Sequence, residues 1–297
     1  MDPLSPPLPT EARLDASRDL DARSTREVLE LLHAQDRVAV DAVAPALGQL
    51  AALVDLAAER FRRGGRIHYF GAGTSGRLAV LDAAELLPTF DLEPGRIVAH
   101  IAGGDEGIVR AVENAEDSHA EGAEAASDVA SGDVAIGLTA SGTTPYVRAA
   151  LEAARARSAA TAIVTSNPHS PLAALADVEI VTDTGAEVVT GSTRLKAGTA
   201  AKLVLNGFST ALMVAVGRTW SNLMVSVVAT NRKLRERSVR ILCEATGSDP
   251  APAESLLRDA DGEVKTAIVM SFADVPADEA RRRLRAAGGS VREAMRA

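Results

Sequence analysis

The sequence predicts an α/β protein: a parallel sheet with helices on both faces, followed by a small all-helical C-terminal domain. Three observations predict it. Five short apolar runs, Ile67–Phe70, Ile97–Ile101, Val134–Leu138, Thr161–Val164 and Val178–Val181, lead into small polar residues. Stretches with apolar residues three and four apart separate or follow them, at 76–87, 106–126, 145–157, 170–175 and 194–217. From about residue 235 only helical patterns occur, broken at Gly247-Ser248, Pro276 and Gly288-Gly289. Strands alternating with helices build parallel sheets buried on both faces.

Taken in order, residues 1–22 read as a loose, Pro-rich, acidic arm without the pattern of a signal peptide. Residues 25–62 read as two helices, with Val28, Leu31 and Leu32 on one apolar face and Leu50, Leu53 and Leu56 on another. The expected boundaries are 1–56 for the arm and its helices, 57–220 for the α/β domain and 235–297 for the helical domain. The longest apolar stretch, Leu203–Val216, is too short to cross a bilayer and contains Asn206, Ser209 and Thr210. It reads as a core or interface helix.

Composition removes several function classes. Of the 297 residues, 46% are hydrophobic and 24% charged, as in soluble globular proteins. Aromatics make up 3% and the net charge is −8, so base-stacking platforms and basic patches for nucleic acid are lacking. The single cysteine, Cys243, has no disulfide partner and no metal-ligand spacing, and reads as packed in a helix. The five histidines, at 33, 68, 100, 119 and 169, show no ligand pair on one helix face, and His68 reads as packing. The expectation is a cytoplasmic chain with no metal, no cofactor and no membrane or nucleic-acid partner.

In open parallel sheets, ligands bind beyond the carboxyl ends of the strands. Here those ends are rich in Gly, Ser and Thr: Gly71–Gly76, Gly103-Gly104-Asp105, Thr139–Pro145, Thr165–Pro168 and Gly191-Ser192-Thr193. Glycine lets the backbone come close to an anion, hydroxyls donate to it, and the next helix points its positive end at it. Gly71–Gly76 matches the dinucleotide fingerprint G-x-G-x-x-G, but the strand 97–101 ends in Ala-Gly-Gly rather than the ribose-binding acid. Several hydroxyl loops instead suit a compact phosphate monoester held by Thr74, Ser75, Ser141, Thr143, Thr144 and Ser192. The competing reading is tight turns with helix caps.

Two carboxylates stand out. Glu85 follows Leu78 and Leu81, and Glu116 follows Ile108 and Val112, each at helical spacing on an apolar stripe. A carboxylate there is either paired in a salt bridge at a helix edge or shifted toward acid–base use. Asp82, Glu113 and Asp117 read as solvated. Glu187 is a third candidate, and Arg194 and Lys196 either face an anion or are surface charge.

The segments Tyr69–Leu78 (YFGAGTSGRL), Leu81–Glu85 (LDAAE), Ile101–Gly104 (IAGG), Ala115–Ser118 (AEDS), Gly185–Ser192 (GAEVVTGS), Arg194–Thr199 (RLKAGT) and Val227–Asn231 (VVATN) resemble the N-acetylmuramic acid 6-phosphate etherases. The resemblance runs from about residue 22 to the end. It implies a sugar isomerase (SIS) sandwich over 57–220 and a homodimer working in recycling of bacterial cell-wall sugar. It also implies a lyase that cleaves the D-lactyl ether of a 6-phosphorylated sugar, with Glu85 as proton donor and Glu116 as base. Thr143 stands where these proteins usually carry Arg, and Leu86-Leu87 where Cys-Pro or Pro-Pro is usual. SIS proteins also include aldose–ketose isomerases and non-catalytic sugar-phosphate sensors, which are the alternative readings. No basic recognition helix for a DNA-binding sensor appears in 1–60 or 235–297.

Overall fold

The computed structural model describes residues 8–226 and 232–296, so the Val227–Asn231 segment and the first residues of the arm lie outside the described residues. The chain forms two compact units, Met1–Ala83 with Gly95–Phe208 and Ala84–Pro94 with Ser209–Ala297.

The first unit is built on five parallel strands, β1 (Ile67–Gly71), β2 (Ile97–Ile101), β3 (Val134–Leu138), β4 (Ala160–Thr165) and β5 (Val178–Val181), in the order β2-β1-β3-β4-β5. Every residue of β1, β3 and β4 is buried, which is why they read as unbroken apolar runs. The edge strands β2 and β5 are only partly covered. In register, Gly71 ends β1 level with Ile101 of β2 and Leu138 of β3.

Before the sheet come α1 (Thr25–Asp41) and α2 (Leu47–Arg62). Helix α1 starts on a capping box, with the Ser24 hydroxyl accepting from Glu27 N–H and the Glu27 carboxylate accepting from Ser24 N–H. Helix α2 buries Leu50, Leu53, Val54, Ala57, Ala58 and Phe61, whereas α1 buries only Ala39. The segment Thr25–Arg62 is long and apolar, with a mean hydropathy of 1.5 over its most apolar part. The turn at Ala44–Ala46 breaks it into two shorter helices.

After the strands come α3 (Gly73–Phe90), α4 (Gly104–Val109), α5 (His119–Ala125), α6 (Pro145–Ala156) and α7 (Lys196–Ala215). The helix expected over 106–126 is in fact two. Arg110 is extended, Asn114 is left-handed at φ 59°, Ala115–Asp117 form a 3-10 turn, and Ser118 caps α5 by accepting from Glu121 N–H. Apolar spacing carries across such a break without registering it. The expected helix at 170–175 is a 3-10 turn, Ala173–Leu175. Phe70, Val147, Leu151 and Ile163 anchor one apolar cluster of this unit, shared by strands and α6.

The second unit holds α8 (Arg232–Thr246), α9 (Pro250–Asp259), α10 (Val264–Ala273), α11 (Ala277–Ala286) and α12 (Val291–Ala294). Leu242, Ala267, Ile268 and Val269 lie at its centre. Lys265 Nζ donates to the carbonyls of Gly217 and Gly289 and ties two turns together.

Candidate functional site

The strand order reverses between β1 and β3: the chain leaves β1 for β2 on one side and later returns to β3 on the other. Connections from the two carboxyl ends then diverge and leave a crevice. Helix α3 begins at Gly73, three residues earlier than its apolar pattern indicates, so Thr74 and Ser75 sit in its first turn among unpaired backbone N–H groups. The glycines here serve close packing. A Cβ on Gly76 would lie 2.5 Å from Ile101 Cγ1, and one on Gly71 would lie 2.7 Å from Gly76 N. The fingerprint spacing therefore follows from the fit of α3 against its strands and needs no dinucleotide.

The β3–α6 loop is held by its own hydroxyls. Thr139 Oγ1 lies 2.7 Å from Thr144 Oγ1 and accepts from Gly142 N–H at 3.1 Å. Ser141 Oγ lies 3.1 Å from Thr143 Oγ1 and accepts from Thr143 N–H at 3.3 Å. From behind, Asn167 Nδ2 donates to the Ser141 carbonyl at 2.9 Å and Ser170 Oγ donates to the Gly142 carbonyl at 2.8 Å. Gly142 is left-handed at φ 72°, and a Cβ there would meet Ser170 Oγ at 2.6 Å. The loop is thus pre-shaped, with Thr143 exposed and Ser141 and Thr144 half-buried.

Ser75, Thr139, Ala140, Ser166, Thr182 and Ala197 line one narrow recess, which brings the starts of α3 and α7 to the ends of β3, β4 and β5. Thr139, Ser166 and Thr182 were not singled out from the sequence. Each is a hydroxyl residue just past a strand, and that position is the signal that would have found them. Thr74 also approaches α7, its Cγ2 lying 3.3 Å from where a Cβ of Gly198 would stand. Ser192 is half-buried in the loop before α7, and the neighbouring Gly191 faces the Glu11 carboxylate.

Three charged groups differ from expectation. Glu187 has no exposed surface, and its two carboxylate oxygens accept from Lys196 N–H and Ala197 N–H, both at 3.0 Å. It caps α7. Lys196, 3% exposed, donates from Nζ to Gln35 Oε1 at 2.7 Å, and burial lowers its pKa against the pull of Glu187. It is neither surface charge nor aimed at an anion, whereas Arg194 is exposed. Asp82, expected to be solvated, is buried and accepts from Tyr69 Oη–H at 3.0 Å. Its charge drives the Tyr69 pKa further up, beyond what burial alone does.

Both proposed acid–base residues are exposed. The buried stripe of α3 runs through Ala79, Asp82, Leu86 and Phe90, so the Leu78–Leu81–Glu85 stripe is the outward one, with Leu81 48% exposed. Glu85 falls in the second compact unit. Glu116 lies in the 3-10 turn Ala115–Asp117 of the first unit rather than on a helix continuing from Gly107, so its helical spacing from Ile108 has no structural basis.

Comparison with known proteins supplies what geometry leaves open. The N-acetylmuramic acid 6-phosphate etherase of Thermobifida fusca is 54% identical over 88% of this chain and 86% of its own length. The chain belongs to the N-acetylmuramic acid 6-phosphate etherase family. Etherases of Klebsiella aerogenes and Mycolicibacterium smegmatis match at 49% and 48%, over 96% and 97% of this chain and the same shares of their own. Residues 49–155 match the glucokinase regulatory protein N-terminal SIS domain, and residues 107–208 match the SIS domain. A phosphoheptose isomerase from Francisella tularensis, 14% identical, superposes with a TM-score of 0.51 over 65% of this chain and 99% of its own, which shows a shared fold. Within this etherase-family chain, the five-stranded sheet and hydroxyl loops belong to the SIS part, and the helices from α8 onward lie beyond residue 208.

Proposed function

We propose that this chain is a carbon–oxygen lyase that cleaves the D-lactyl ether of N-acetylmuramic acid 6-phosphate. The products are N-acetylglucosamine 6-phosphate and D-lactate, in recycling of cell-wall sugar in the cytoplasm. The observation that carries this is 54% identity to an etherase over most of both chains. The pre-shaped hydroxyl loops at the β1/β3 switch point support it from the physical side.

An ether oxygen is a poor leaving group, so direct displacement at carbon 3 is slow. Opening the sugar ring exposes an aldehyde at carbon 1 that acidifies the carbon 2 proton. Glu116 removes that proton, and Glu85 protonates the departing lactate oxygen. Water then adds at carbon 3, so that ether and water become N-acetylglucosamine 6-phosphate and lactate. A base for the carbon 2 proton and an acid for the lactate oxygen are the paired roles this elimination needs. Their exposure leaves both open to substrate. Thr74, Ser75, Ser141, Thr143, Thr144 and Ser192 hold the 6-phosphate. Metals and nicotinamides have no part in this scheme.

The working form is a homodimer. Helix α1 supports this: Leu29 is 60% and Val40 56% exposed on a helix that buries one residue. A second copy covering that face removes apolar surface from water.

Assay of D-lactate after incubation with N-acetylmuramic acid 6-phosphate tests the reading. The unphosphorylated sugar should react far more slowly. Isomerised sugar without lactate would make the chain an isomerase, and binding without turnover would make it a sensor.

A further inference from the structure

The strongest unassigned feature lies between β1, β2 and the α5–β3 connection. His68 of β1 and His100 of β2 project to the same face of the sheet as Phe70, the three rings nearly parallel with centroids 4.6, 5.3 and 6.2 Å apart. His68 Nδ1 stands 3.0 Å from His100 Nε2. A carboxylate oxygen of Asp128, in the connection between α5 and β3, completes a set of three ligand atoms that all lie within 4.8 Å of one another. His68 precedes Gly71 by three residues, which at about 3.3 Å per residue puts it about 10 Å back from the phosphate loops. His100 is level with Phe70, nearer the loops, but brings its Nε2 to His68, and the cluster shares no residue with the sugar-phosphate site.

We propose that His68, His100 and Asp128 form a binding site for one divalent cation of the zinc–cobalt–nickel class, distinct from the sugar-phosphate site.

Two imidazoles and one carboxylate are the donor set these borderline metals favour over magnesium or calcium, which take oxygen ligands. At a metal–nitrogen distance of about 2.1 Å, nitrogens 3.0 Å apart subtend about 90°, a cis pair. The two nitrogens now face each other head-on, and turning the rings so that their lone pairs converge while the nitrogens open by about 0.4 Å reaches the tetrahedral angle. A second tier is also in place. Asp133 Oδ2 lies 3.3 Å from His68 Nε2, off the hydrogen-bonding line, and that nitrogen is buried without a hydrogen bond. A carboxylate beside Nε2 favours the tautomer protonated there and leaves the Nδ1 lone pair for a metal. Asp133 is itself fixed by Arg66 N–H at 2.7 Å and Ala130 N–H at 2.8 Å.

Arg66 is the competing cation. Its guanidinium bonds Asp128 Oδ2 at 2.9 Å and the Asp128 carbonyl, and approaches Asp133 Oδ2 at 3.3 Å. It contacts one oxygen of the Asp128 carboxylate, which leaves the other for coordination. Two carboxylates against one guanidinium leave a net charge of −1 to receive the ion. One of the two facing nitrogens carries the hydrogen of their 3.0 Å contact, and a metal entering there displaces that proton. The Asp128 side chain is 55% exposed and His100 half-buried, which gives the ion an entry path. Bound there, a metal clips edge strand β2 and the α5–β3 connection to β1.

The test uses the full chain, stripped with chelator and titrated with Co2+ and Zn2+. The expected result is one Co2+ per chain with visible absorption bands of nitrogen and oxygen ligation, and a rise in Tm with Zn2+ that Mg2+ does not reproduce. His100→Asn and Asp128→Asn should each bind at least 100-fold more weakly. His100→Asn should keep metal-free D-lactate release, which separates failure here from failure of the etherase reading. Wild-type protein that takes up no Co2+, or a His100→Asn variant that binds it as tightly as wild type, would overturn the proposal.

Discussion

Glu187 offers the sharpest separation between a structural and a chemical carboxylate. It is fully buried, and its two oxygens take the N–H groups of Lys196 and Ala197, the first donors of the 20-residue helix α7. Glu187→Ala leaves both donors buried without an acceptor. Each orphan costs about 1–3 kcal/mol, so the pair costs about 2–6 kcal/mol. Glu187→Gln keeps one acceptor oxygen and turns an NH2 toward the other donor, so it should cost about half as much. At about 2–4 °C per kcal/mol, the Ala variant should lose at least about 4 °C in Tm and the Gln variant less. Urea unfolding followed by circular dichroism, with D-lactate release measured on the same preparations, decides the matter. Because Ala197 lines the recess with Ser75, some loss of substrate use should accompany the loss of stability. An Ala variant within about 0.5 kcal/mol of wild type would refute the capping role. A Gln variant of native stability that had lost lactate release would move Glu187 among the reacting groups.

Three other outcomes are expected. Glu85→Gln and Glu116→Gln should each slow lactate release about 10²–10⁴-fold. With N-acetylglucosamine 6-phosphate in heavy water, Glu85→Gln should still exchange the carbon 2 proton and Glu116→Gln should not; the reverse pattern swaps their roles. Ser75→Ala and Ser141→Ala should each lower kcat/KM by about 1.5–3 kcal/mol of lost phosphate hydrogen bonding without unfolding the chain, and unchanged kinetics in both would leave these hydroxyls as turn and capping groups. His100 has its pKa lowered from 6.5 to about 4, first by burial and then by His68. The unfolded chain therefore binds this proton more tightly, and stability is lost as pH falls from about 6.5 toward 4. Urea midpoints of metal-free protein at pH 7 and pH 5 should show a smaller fall for His100→Asn than for wild type, and equal falls would reject the assignment.

The sheet was legible because its strands are short, apolar and separated by helical spacing. All five sit where those runs lie, and the Gly-, Ser- and Thr-rich loops fall at their carboxyl ends. Less legible was anything decided by a break or by which side of a helix is covered. The spacing of Ile108, Val112 and Glu116 has the right period, yet Asn114 turns the chain left-handed between them. On α3 two stripes compete, and the one bearing Asp82 is buried because Tyr69 supplies a hydroxyl donor. That pairing joins a strand to a helix 13 residues away, beyond the reach of a periodicity argument. The His68–His100 contact was hidden for the same reason, since register between β1 and β2 sets it rather than spacing along either strand.

The arm ahead of α1 carries a practical lesson for anyone shortening this protein. Residues 8–22 hold only three single 3-10 turns and invite removal. Yet Thr10 is completely covered, and Glu11 rests its carboxylate against Gly191, next to Ser192. Trimming to residue 22 would strip the Glu11 carboxylate from the loop that leads into α7. A clipped preparation that has lost activity should be checked for Thr10 and Glu11 before a glutamate is blamed.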